Sequence, residues 1–259
     1  MPQTLNSFCL DPQLWTTVLA ALAIVLSQLP PVRLWFLPKQ LKIEVHSRFQ
    51  VTHWIGNPNI TTYISIRNTG GRELRIQSLQ ISLTRDKVSL GNFAASTYLE
   101  TPSSQSPVLF VPFSLKPGDT WAHETRFFNP LDRTTEKLYR GSESALLADI
   151  RNKLQLRPKG DEQIVAAEST LVEPFLALFK KLFIWEPGEY VAVLSVFAEP
   201  KSAPFSCSYR FTLYESDSEE LRSHTEDYKF GSGFSYMLPR HAGVFVPLLQ
   251  HVDPSSQQA

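Results

Sequence analysis

One run near the start of the chain constrains what can follow it: residues 12–32 carry no charged side chain, and 14–29 (LWTTVLAALAIVLSQL) is dominated by Leu, Ala, Val and Ile. At 1.5 Å per residue such a run makes a helix of about 31 Å, close to the hydrocarbon thickness of a bilayer. Trp15 and Trp35 bracket it, as interfacial aromatics do. A cleaved signal peptide fits less well. No Lys or Arg precedes the run, Asp11 stands where a positive region belongs, and Ala21-Leu22-Ala23 lies inside the apolar stretch instead of after it. A buried core helix is the other competitor, because Thr16, Thr17, Ser27 and Gln28 dilute the hydrophobicity. The favoured reading is a tail (1–11), one transmembrane helix (12–32) whose partner is the lipid bilayer, and a short linker (33–41). Arg33, Lys39, Lys42 and Arg48 follow the run and no basic residue precedes it, so the positive-inside rule predicts a single-pass membrane protein with a cytoplasmic C-terminal domain.

The remainder has the composition of a folded domain. Twenty-five basic residues balance 25 acidic ones, which removes the basic footprint of a nucleic-acid binder. Cys9 and Cys207 are too few for a disulfide framework and lack the paired spacing of a zinc site.

From Lys42 onward the period changes to two. Ile43, Val45, Phe49 and Val51 alternate with Glu44, His46, Arg48 and Gln50, the pattern of a half-buried strand. Gly56-Asn57-Pro58-Asn59 reads as the next turn, and Thr62, Ile64 and Ile66 as a second strand. Leu74, Ile76, Leu79, Ile81 and Leu83 form a third whose alternation slips between Ile76 and Leu79, predicting a bulge. Residues 108–115 (VLFVPFSL) read as a strand that Pro112 places at an edge or a bulge. Two Pro-Gly turns, Pro117-Gly118 and Pro187-Gly188, open strands over 121–128 and 190–197, and 207–214 completes the set.

Three pieces carry a resemblance: Ile64-x-Ile66-x-Asn68-Thr69-Gly70-Gly71 followed by Leu74, the Leu115-x-Pro117-Gly118-Asp119 turn, and Pro187-Gly188-x-Tyr190 at a strand start. They resemble immunoglobulin-like or fibronectin-type β-sandwich modules over roughly 42–214. The resemblance implies a mainly β, antiparallel sandwich following the membrane helix, with Tyr190 in the position of a tyrosine corner. It implies no functional residues.

The stretch between the two Pro-Gly turns is too long for a loop. Over about 130–184, Leu138, Ala145, Leu146, Ile150 and Leu154 recur near helical spacing, Asp132 and Thr134 offer N-terminal caps, and Pro158-Lys159-Gly160 stops the segment. A second helix opens around Ser169 or Glu173-Pro174. The insertion is expected to cover one face or end of the sandwich. Residues 215–259 form a C-terminal extension: an acidic stretch, a Gly-rich aromatic loop, an apolar run over 244–249 and a frayed tail.

No catalytic, metal or cofactor motif is present. Gly231-Ser232-Gly233-Phe234-Ser235 fits neither a nucleophile elbow nor a phosphate loop. His46 and His53, seven apart on one strand, point to opposite faces. Glu219 with Glu220, or Asp217 with Asp227, read as a solvated face. Asn59-Ile60-Thr61 is a glycosylation sequon, relevant only to a lumenal domain. The feature that could be an interaction face is the aromatic segment holding Phe175, Phe179, Lys180, Lys181, Phe183 and Trp185, which is expected either to pack on the sandwich or to dock a membrane surface or partner. The expectation for function is a membrane-tethered interaction or scaffold protein with an unidentified protein partner. The alternatives are an enzyme with dispersed site residues and an extracytoplasmic binding domain.

Overall fold

The computed structural model describes residues 12–28, 37–104, 106–158, 163–200, 203–233 and 243–251. Twelve strands run in the order β1 (Leu41–Val45), β2 (Arg48–Trp54), β3 (Asn57–Asn68), β4 (Leu74–Arg85), β5 (Val88–Leu99), β6 (Val108–Leu109), β7 (Phe113–Leu115), β8 (Thr120–Phe127), β9 (Gly188–Glu199), β10 (Phe205–Leu213), β11 (Val244–Pro247) and β12 (Leu249–Gln250). Four α-helices accompany them: α1 (Pro12–Gln28), α2 (Arg133–Gln155), α3 (Ser169–Leu182) and α4 (Glu215–Ser223), the last running into a 3-10 helix, His224–Phe230.

All pairings are antiparallel and form one sheet in the order β11-β2-β3-β8-β5-β4-β9-β10-β12, with β1 beside β3, β6 beside β5 and β7 beside β4. Two halves of this sheet face each other and join at both sides. On one side β5 changes partner across a bulge: Ala94 and its predecessors pair with β4, whereas Ala95 to Leu99 pair with β8. On the other side the C-terminal run pairs first with β2, through Val244 to Pro247, and then with β10, through Leu249 and Gln250. The result is nearly a closed barrel, in which edges are hidden. The C-terminal extension, expected outside the sandwich, supplies the strands that close it.

Alternation explains the core. On β9, Tyr190, Ala192, Leu194, Val196 and Ala198 point inward, and on β4 Leu74 and Ile76 give way to Leu79, Ile81 and Leu83 across a bulge between Ile76 and Ser78, where the sequence places it. The Tyr190 hydroxyl donates to the Glu186 carbonyl at 2.6 Å and to that of Ile184 at 3.1 Å, the upstream backbone bond of a tyrosine corner. Two expectations shift. The 108–115 strand is broken into β6 and β7 on either side of residues 110–112, and the turn after β2 falls two residues earlier than read. Ile55 and Gly56 both have positive φ (50° and 81°), the requirement of a two-residue hairpin turn, so Pro58 lies within β3. The sequon lies inside β3 as well, with Thr61 buried.

A second, smaller core gathers Ile55, Tyr139, Leu146, Val172, Phe175, Leu178, Phe179 and Tyr228, uniting α2, α3 and the 3-10 helix over the β2–β3 hairpin tip. Asp132 caps α2, its Oδ1 accepting from the Thr134 and Thr135 amides at 2.9 and 3.0 Å. At Gly56 a Cβ would lie 2.6 Å from the Phe179 carbonyl oxygen, so only glycine lets α3 approach this closely.

Of the expected transmembrane span over 12–32, the structure describes helix α1 over 12–28. α1 has 17 residues, about 26 Å at 1.5 Å per residue, against roughly 30 Å of bilayer hydrocarbon. No helix among the described residues is long and apolar enough to cross a membrane. Trp35, Pro30-Pro31 and Cys9 lie outside the described residues. The linker expected over 33–41 is partly domain: the Gln40 carbonyl accepts from the Thr69 and Gly70 amides at 3.1 Å, Lys39 Nζ donates to the Pro200 carbonyl at 2.9 Å, and Leu41 already belongs to β1.

Candidate functional site

The residues singled out in the sequence do not form an exposed face. Phe175 and Trp185 are fully buried, Phe179 nearly so, and Phe183 is half-buried beneath the Arg222 guanidinium, 4.8 Å from its ring centre. Lys180 and Lys181 alone are outward. Of the two readings of this segment, its burial fits packing: its aromatics join the helices to the barrel. Trp185 belongs to the barrel core and donates from Nε1 to the Thr52 carbonyl at 2.7 Å, while its own carbonyl accepts from Ser218 Oγ at 2.7 Å. Arg222 and Glu186 form an ion pair beside it.

His53 sits in the same junction. Its Nδ1 accepts from the Gly56 amide at 3.0 Å, which leaves Nε2 to carry the proton donated to the Leu221 carbonyl at 2.7 Å. The rings of Phe179, Phe183 and His224 lie 5.1 to 5.5 Å away. These contacts give His53 a packing and hydrogen-bonding role. Among the described residues no group of three His, Cys, Asp or Glu is placed to hold a metal ion.

The other sequence features resolve as structure. Glu219 and Glu220 are exposed on α4, and Asp217 Oδ2 accepts from the Tyr214 amide at the helix start. Gly231, at φ 76°, closes the 3-10 helix against Ile150, and no strand leads into it. Phe234 and Ser235 lie outside the described residues. Cys207 is largely enclosed beside β9, and burial pushes its thiol pKa up, so it is a poor nucleophile.

Among the described residues, a concave surface that the sequence reading missed lies on the helical unit. α2 and α3 run antiparallel, with Lys153 Nζ donating to the Asp149 carboxylate at 2.8 Å and to the Ala166 carbonyl at 3.1 Å near the start of α3. Between them lies a groove of about 530 Å³ whose lining includes Leu138, Gly141, Ala145, Leu171 and Pro174, with Lys137 as its charged residue. Leu138 is 52% exposed, although its neighbour Tyr139 is 1% exposed. Of the positions read as helical spacing on α2, Leu138, Ala145 and Leu154 are exposed, and the buried residues of the helix are Thr135, Tyr139 and Leu146. Leu154, Leu156, Ile164 and Leu176 are exposed on the same helical unit.

The groove lies far from where the N-terminal segment enters. Leu41 pairs with Asn68 at one end of β3, and Trp54 pairs with Asn57 at the other, beneath the helical unit. Twelve residues of β3 separate these ends, about 37 Å at 3.4 Å per residue.

Comparison with family models and with curated protein sequences finds no match. Among solved structures, a protein from Archaeoglobus fulgidus aligns with 67% of this chain and 95% of its own, at 11% identity and a TM-score of 0.25, a level that carries no argument.

Proposed function

We propose that this protein is a membrane-tethered interaction module, an immunoglobulin-like barrel held at the bilayer by its N-terminal segment and working through protein contacts. One observation carries the tether: every described side chain of α1 from Trp15 to Ile24 is exposed, and none belongs to either apolar core of the domain. A helix presenting Val18, Leu19, Leu22 and Ile24 to its surroundings has an apolar solvent as its natural environment. Seventeen helical residues fall at the lower limit for a span, and the uncharged sequence continues through Val32. Basic residues after the run favour a cytoplasmic domain.

Fractionation tests the tether, and cysteine labelling tests the orientation. The full chain should stay in the membrane pellet after alkaline carbonate. A Val88→Cys variant should resist an impermeant maleimide in intact cells and react after lysis, since Val88 is 64% exposed on the domain. Release by carbonate would refute the tether, and labelling of the position 88 thiol before lysis would place the domain outside. Cys207 is a poor reporter because its thiol is enclosed.

A further inference from the structure

We infer that the α2–α3 groove is the docking site for an amphipathic α-helix of a protein partner, one that brings a carboxylate to Lys137. This rests on the interaction reading above and gives the partner its chemistry. The groove follows α2 from Thr134 to Ala145, about 17 Å at 1.5 Å per residue, which matches three turns of helix. Its α2 wall includes the small residues Gly141, Ser142 and Ala145, and a Cβ built on Gly141 meets nothing within 4 Å, so a second backbone can come close at that point. Leu138, Leu171 and Pro174 supply the apolar contacts that a helix laid in a groove uses.

Charge selects the occupant. Lys137 lines the groove, and Lys181 lies near the same end. The Asp132 carboxylate there is already engaged: its hydrogen bonds with Thr135 and Thr134, with the nearby Lys181 charge contributing, hold it below its ordinary value. Glu136 is held by Arg140 at 2.8 Å. Arg133, Lys137 and Lys181 outnumber Asp132 there, so net positive charge remains at the Thr134 end, whereas Glu168 and Glu173 stand at the start of α3 at the opposite end. A helix with its acidic residues toward Lys137 satisfies this gradient, and the reverse orientation sets like charges against each other. The groove also lies at the end of β3 away from the tether, where a soluble or membrane-bound partner reaches it without crossing the headgroup layer.

The test is photocrosslinking with the full chain in its own cells, with p-benzoylphenylalanine at Ala145 in the groove and at Leu249 on β12 as the comparison site. The expected result is a crosslink from position 145 to a protein segment whose sequence is an acidic amphipathic helix. Gly141→Leu should abolish it by filling the groove, and Lys137→Glu should reduce it. Gly141 is exposed on a helix, so the leucine leaves folding intact, which circular dichroism verifies. The inference is overturned if position 145 crosslinks to a second copy of this chain, to lipid, or to a segment without the acidic pattern, or if Gly141→Leu changes nothing. Crosslinks from position 249 alone would remove the groove from consideration and leave the interaction reading standing. Absence of protein crosslinks at both positions would overturn both.

Discussion

The barrel and the helical unit bury apolar surface in different ways. In the barrel, alternation is close to ideal: five inward side chains of β9 and five of β4 are essentially inaccessible, and the outward positions between them are largely Ser, Thr, Gln and Arg with a few half-buried Val and Phe. In the helical unit the inward phase is complete, yet Leu138, Leu154, Leu156, Ile164 and Leu176 remain on the outside. The barrel also exposes apolar side chains, Val88, Leu109 and Leu249 among them, at strand ends. Under the proposed function the contact task falls to the helical unit, where exposed Leu138 lines a groove.

The largest expected effect tests whether the two regions are one cooperative unit. Leu194→Ala in the barrel should cost about 2 to 5 kcal/mol and Phe175→Ala in the helical core about 3 to 5 kcal/mol. Because Trp185, His53 and Gly56 tie the cores together, both variants should lower a single denaturation midpoint seen alike by fluorescence and by circular dichroism. A Phe175→Ala protein with two separated transitions would break the comparison into independent domains.

A smaller effect sharpens the barrel side. Tyr190→Phe removes the hydroxyl that satisfies the Glu186 carbonyl and should cost about 1 kcal/mol in urea unfolding, with the β signal unchanged. A neutral result would mean that water replaces the bond and that the corner only decorates the strand start.

The smallest effect sits on the helical side and depends on pH. The Asp132 carboxyl is held below its ordinary value of 3.8 chiefly by Thr135. A depressed carboxylate stabilises the fold above its unfolded-state value, and that contribution fades as pH falls through the lower folded value. Asp132→Ala should therefore lower the thermal midpoint slightly at neutral pH, and the gap from the parent should close in strong acid. A gap that persists unchanged below the carboxylate range would show that the cap acts by packing instead of charge.

How much of this was legible follows from the residues. The bulge after Ile76, the cap at Asp132 and the corner at Tyr190 could be read because each has a local chemical signature. β5 escaped notice because Phe93 is its one fully buried side chain, so it carries almost no alternation. α4 escaped because its buried residues are Ser218 and Leu221 in an otherwise charged stretch. The groove was illegible for a subtler reason: periodicity reports that a helix has an apolar stripe, but Leu138 and Tyr139 define two stripes, and only the position of α3 decides which one is covered.

The last strands have a consequence for how the protein is made. β11 and β12 fill the gap between β2, near the start of the domain, and β10, near its end. A chain emerging from the ribosome can pair β2 with β3 early, yet the barrel stays open until β11 and β12 appear. Until then the outer edge of β2 waits with unpaired amides and carbonyls, and any delay before β11 is made lengthens the time in which a neighbouring nascent chain could take that place.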